Sequence, residues 1–201
     1  MTKLILVSAA ETDWAAQGRL VGDTDLPLNE AGHRQAIADG QALVERAPDA
    51  VYSGPEEATR ETGELIAHEL SAKLKQVKTL RELDLGHWEG LSEQDFRERF
   101  GRVYKQWRSD PLSVSPPEGE SLVDAAERLA GAIDKLIRQH RKKTLVVILG
   151  RFAAAIVRCR FDDGDYDRFW AHIDGARERR LIETSGGDGT DRSSSPSPNG
   201  A

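Results

Sequence analysis

Cysteine is almost missing: Cys159 is the only one in 201 residues. A lone thiol excludes an intrachain disulfide and a thiolate metal cluster, and it fits a reducing cytoplasm. Long apolar runs are missing too. No segment is suited to span a bilayer, and nothing after Met1 reads as a signal segment. There is also no excess of positive charge. The formal net charge is -6, which leaves no basic footprint for nucleic acid or an anionic membrane. His33, His68, His140 and His172 fall on predicted helices without ligand spacing to one another, so no metal or other cofactor is expected. Asp162, Asp163, Asp165 and Asp167 surround Gly164 but lack the closing Glu of a calcium loop and read as a polar turn.

Against these absences stand short apolar runs that alternate with amphipathic stretches. Lys3-Leu4-Ile5-Leu6-Val7 reads as a strand buried on both faces, and Ser8-Ala9-Ala10-Glu11-Thr12 as the loop at its carboxyl end. Residues 15–28, with Gly18, Gly22 and Pro27, read as loop. Asn29 is a candidate N-cap for a helix over 30–46. Residues 50–53 form a short strand. Pro55 opens a second helix that runs to about residue 71, followed by an edge strand at 75–78. A structured loop spans 80–90, helical stretches about 92–108 and a Pro- and Ser-rich connector 110–118. Ser121 caps a helix whose stripe is Leu122, Ala126, Leu129, Ile133 and Leu136. Thr144–Leu149 is a second fully apolar strand, followed by Gly150 and a helix over 151–160. A short helix at 165–172 and a strand at 179–184 complete the pattern. This alternation predicts a three-layer α/β/α sandwich with a mostly parallel sheet. One domain over 1–185 and a disordered Gly/Ser/Pro tail over 186–201 are expected. Trp14, Trp88, Trp107 and Trp170 are expected as packing anchors, and Arg177, Arg179 and Arg180 as a solvated face.

Several stretches resemble the histidine phosphatase, or phosphoglycerate mutase-like, superfamily, in its bacterial small-phosphatase branch. They are Gly18-Arg19 with Gly22 and Asp23 to Gly32, Val51 to Pro55 with Arg60-Glu61-Thr62, Leu80 to Gly90, and Gly119-Glu120-Ser121. The resemblance implies a phosphoglycerate mutase-like fold over nearly the whole chain. It also implies a chemistry: a histidine nucleophile that becomes phosphohistidine, two arginines and a second histidine around the phosphate, and a carboxylic acid for the leaving group. Carried onto this sequence, the nucleophile position is Ala9, the arginine positions are Ser8 and Ala58, and the second histidine position is Leu149. The Asn and Gln usual in the first loop are Ala15 and Val21. Only the acid position, Glu82, keeps its type. The losses fall on residues that would touch phosphate, and the scaffold motifs remain.

A methyl group cannot form a phosphoramidate bond, so a catalytically inactive protein with a binding or regulatory role is expected. The alternative is a phosphatase or phosphomutase acting on small phosphate esters by a modified mechanism through Glu82 or His87. With Glu11, Glu56, Glu57 and Glu82 close by, the cleft is expected to repel phosphate, at about 4 kcal/mol per carboxylate 4 Å away at a dielectric of 20. Arg151 is the one compensating cation. It reads either as an anion site or plug paired with Glu82 or Glu11, or as a solvated Arg. A protein partner or a homodimer is possible on the retained scaffold, and a cytoplasmic location is expected.

Overall fold

The computed structural model describes residues 1–162 and 164–174 and the backbone of 179–184. The tail from 186, Asp163, Arg177 and the side chains of Arg179 and Arg180 lie outside the described residues, and with them those readings.

In chain order the elements are β1 (Thr2–Ser8), α1 (Asp13–Ala16), α2 (Glu30–Leu43), β2 (Ala50–Ser53), α3 (Glu57–Glu69), β3 (Leu74–Gln76) and α4 (Glu93–Ser109). Then follow α5 (Leu122–Gln139), β4 (Thr144–Leu149), α6 (Arg151–Phe161), α7 (Phe169–Asp174) and β5 (Arg179–Thr184). The five strands lie in the order β3-β2-β4-β1-β5. All pairings are parallel except β1 with β5, which is antiparallel. The three-layer, mostly parallel sandwich is therefore realised, with its reversed strand at one edge.

The central strands β1 and β4 have nearly fully buried side chains because both faces of the sheet are covered. Side chains alternate between the two faces. Leu4, Leu6, Leu145, Val147 and Leu149 pack with α5, α6 and the α4 rings. Ile5, Val7, Val146 and Ile148 pack with Leu43 of α2 and Ile66 of α3. So α2 and α3 form one outer layer, and α5, α6 and α7 belong to the other.

The caps follow side-chain chemistry. Asn29 Oδ1 accepts from Gly32 N at 2.8 Å, and Ser121 Oγ accepts from Asp124 N at 3.1 Å. Two local expectations need correction. The stretch from 15 is not all loop, because Thr12 caps the short helix α1 through Ala15 N at 3.2 Å. Pro55 lies before α3 rather than in its first turn, and Glu56 is the cap residue. The helix after residue 92 carries a kink at Phe100 (φ -132°, ψ 35°).

Candidate functional site

Parallel sheets place their loops, and hence their chemistry, beyond the carboxyl ends of the strands. Here a cleft of about 320 Å³ opens at that edge, between the ends of β1 and β4. Ser8, Ala9, Ala10 and Glu11 form one part of its wall, Ala58 of α3 another, and Glu82, Gly150 and Arg151 a third. The residues expected to share a site are thus brought together, with one exception. The Leu149 side chain is fully buried in the sheet core and does not line the cleft. Strand β4 runs in register with β1, Ser8 opposite Leu149, so Gly150 follows Leu149 as Ala9 follows Ser8. The cleft-facing position at the end of β4 is Gly150, one residue beyond the expected one.

Gly150 leaves room that Glu82 takes. A Cβ at Gly150 would stand 2.2 Å from Glu82 Oε2. The Glu82 carboxyl, 2 % exposed, caps α6: Oε2 accepts from Phe152 N at 2.8 Å and Oε1 from Ala153 N at 2.6 Å. Leu83 N also donates to Oε1, at 2.6 Å. The Phe152 and Ala153 amides belong to the N-terminus of α6, a position suited to an external anion. An internal carboxyl fills it.

Burial pushes the Glu82 carboxyl up to about 8, and the neighbouring charge of Glu56 pushes the same way, against the three amides. Glu56 Oε1 itself accepts from Glu82 N at 2.8 Å, and its own carboxyl is raised, chiefly by burial. The loop bearing Glu82 is fixed from below by Arg128 of α5. Its guanidinium donates to the carbonyls of Thr79 at 3.0 Å, Arg81 at 2.8 Å and Glu82 at 3.3 Å. It also holds Glu120 through two bonds of 2.8 and 2.6 Å. Arg128 is a positioning residue that the sequence does not disclose, because a charged residue beside an apolar stripe normally faces solvent.

Arg151 is not the plug of Glu82 or Glu11. Its Nε and Nη2 donate to the carbonyl of Ile173 at 3.1 and 2.6 Å, which ties α6 to α7. Glu11 is held instead by α2: Oε1 accepts from Asn29 Nδ2 at 3.0 Å, and its backbone N donates to Gln35 at 3.1 Å. His87 stands on a separate turn, 3.2 Å from Glu118, and does not line the cleft, so it is no substitute base there. His172 and Arg158 do line it, and motif spacing points to neither. Arg158 is 4 % exposed in an otherwise apolar run from Phe152 to Cys159, a pattern that marks a charge with an inward task. His172 Nε2 lies 3.0 Å from Asp162 Oδ2.

The premise that the cleft carries unrelieved negative charge therefore fails. Burial favours the neutral form of Glu82, Glu57 is not part of the wall, and Arg19, Arg151 and Arg158 are. Outside the cleft, Asp23, Asp84 and Glu89 bring carboxylate oxygens within 4.8 Å of one another. Two of these carboxylates serve the turn itself. Glu89 Oε2 accepts from Gly22 N at 3.0 Å and Thr24 Oγ1 at 2.9 Å, and Asp84 Oδ1 from Gly86 N at 2.8 Å. Burial pushes the Cys159 thiol up to about 12, so it stays unreactive.

The sequence model of the histidine phosphatase superfamily (branch 1) matches residues 4–190. The chain belongs to this superfamily. A relative named Phosphoserine phosphatase 1, from Hydrogenobacter thermophilus, is 30% identical over 171 residues, covering 85% of this chain and 81% of the relative. A metal-independent phosphoserine phosphatase of Arabidopsis thaliana is 30% identical over 151 residues, 74% of this chain but 63% of that protein. The solved structure of Bacillus stearothermophilus YhfR superposes with a TM-score of 0.84 at 25% identity, covering 93% of each chain. Membership accounts for the cleft's place at the strand ends. Among the described residues, no helix is long and apolar enough to cross a membrane.

Proposed function

We propose that this superfamily member binds a small polar ligand in its cleft and does not turn it over by the phosphohistidine route. The observation that carries this reading is Ala9. It lines the cleft at the end of β1, where the resemblance places the nucleophile, and its side chain is a methyl group. The arginine positions Ser8 and Ala58 line the same wall without a charge. Glu82 holds the amides of α6 that would otherwise receive an oxyanion. The retained scaffold and cavity are compatible with a binding or regulatory role.

A second reading has its own support. The relatives are named as phosphatases, and a carboxyl raised to about 8 is protonated at neutral pH, as a general acid must be. In that case a water molecule attacks phosphorus directly, the ester P–O bond breaks, and Glu82 gives its proton to the departing oxygen while the water's proton passes to the released phosphate.

Hydrolysis of p-nitrophenyl phosphate and of phosphoserine by the purified chain separates the two. Loss of a covalent nucleophile costs about a millionfold in other enzymes. The first reading expects turnover at background. Turnover within about a hundredfold of an ordinary superfamily enzyme, lost in Glu82→Gln, would establish the second.

A further inference from the structure

Apart from Arg19 and Glu82 on their loops, the charged residues of the wall belong to, or are held by, helices on opposite faces of the sheet. Glu11 is held by α2 and Glu56 caps α3, both on one face of the sheet. Arg151 and Arg158 of α6 and His172 of α7 come from the opposite face. Between them the lining is small and apolar, with Ala9, Ala15, Ala58, Phe152 and Ile173.

Two of the charged groups are anchored by one half and leave the other half available. Arg151 uses Nε and Nη2 on the Ile173 carbonyl, and among the described residues its Nη1 has no partner. Glu11 uses Oε1 on Asn29, and among the described residues its Oε2 has no partner. Each is therefore held in place before a ligand arrives, which lowers the entropy lost on binding. A fixed cation and a fixed anion in the wall of one cavity match a ligand that carries both charges. The volume lies at the small end of ligand pockets.

We propose that the cleft binds an unphosphorylated amino carboxylate, its carboxylate on Arg151, its ammonium on Glu11 and its apolar body against the alanine-lined floor. Arg158 lies in the wall on the same side as Arg151. A phosphoryl group gains nothing comparable, because the α6 amides already serve Glu82. This inference rests on the reading that the cleft binds without turnover, and it names the ligand class of that same site.

The test is calorimetry on the full chain with two zwitterions, leucine and 6-aminohexanoate. Each is compared with its N-acetylated form and its amide, and inorganic phosphate and phosphoserine are run alongside. At least one zwitterion is expected to saturate with a dissociation constant below about 1 mM, with both of its capped forms at least about tenfold weaker. Arg151→Gln and Glu11→Gln should each weaken that zwitterion by at least about tenfold. Thermal melting by tryptophan fluorescence checks that both variants fold. The comparison of capped forms needs no variant, so it decides the matter even if one fails. No saturation by either zwitterion at about 10 mM would overturn the proposal. So would capped forms binding equally well, or phosphate or phosphoserine binding more tightly. Turnover of p-nitrophenyl phosphate would instead sink the reading beneath it, a different readout on the same sample.

Discussion

Trp107→Ala lowers the unfolding free energy by about 3–5 kcal/mol, the cost of truncating a fully buried tryptophan. Helix α4 is polar for most of its length, and Phe96 and Trp107 are its buried residues. Its docking therefore rests on two rings. Trp107 is 1 % exposed and has ring centroids 5.0 Å from Trp88, 5.6 Å from Phe96 and 4.7 Å from Trp170. It also stacks at 6.0 Å on Phe152, whose amide donates to Glu82. The cavity left behind thus borders the residue that shapes the cleft. Domains of this size have roughly 5–15 kcal/mol of stability, so the variant should unfold at a much lower urea concentration. Phe100→Ala is the control: that ring is 37% exposed, and its loss should cost under about 1 kcal/mol. Equal midpoints for the two variants would refute this account of α4.

Glu82→Gln removes most of the pH dependence of stability between about 5 and 8. The ordinary glutamate value is 4.5 and the folded value is about 8. Between them the folded chain keeps a proton that the unfolded chain has released, so stability falls as pH rises. The penalty is absent below 4.5 and complete above about 8. Each pH unit across that window is worth about 1.4 kcal/mol, which sums to the order of 5 kcal/mol for this group. Its cause is burial, which outweighs the three amides that favour the charged form. The glutamine variant lacks the charge and also fits the amides less well. It should be less stable than the parent at pH 5 and equal or more stable at pH 9. Urea unfolding at pH 5, 7 and 9 reads both curves. A parent curve that stays flat across this range, or one that the variant copies, would contradict the assignment.

Much of the scaffold is legible because it depends on local rules. Unbroken apolar runs mark β1 and β4, a 3.6-residue stripe marks α5, and Asn29 and Ser121 carry their caps in their own side chains. The short helix at Asp13–Ala16 escapes because its single turn has no stripe, only the Thr12 cap. The end of β4 is misplaced by one residue because motif spacing does not report which side chain faces the sheet core, and Leu149 does. Charge alone pairs Arg151 with Glu82 or Glu11, yet it binds a carbonyl 22 positions away on α7. Contacts of that kind depend on how helices pack. Arg158 is different. An arginine in a run of alanines, isoleucine and valine is by its pattern a signal of buried charge. His172 reaches the cleft only through the packing of α7 on α6.

The proposed reading rests on Ala9: the position at the end of β1 where the resemblance places a nucleophile carries a methyl group, so no phosphohistidine forms there. Intact-mass measurement after rapid mixing with excess p-nitrophenyl phosphate, at neutral pH and without acid, tests it most directly. A single unmodified species is expected. A species heavier by one phosphoryl group, mapped by fragmentation to a cleft histidine such as His172, would contradict it.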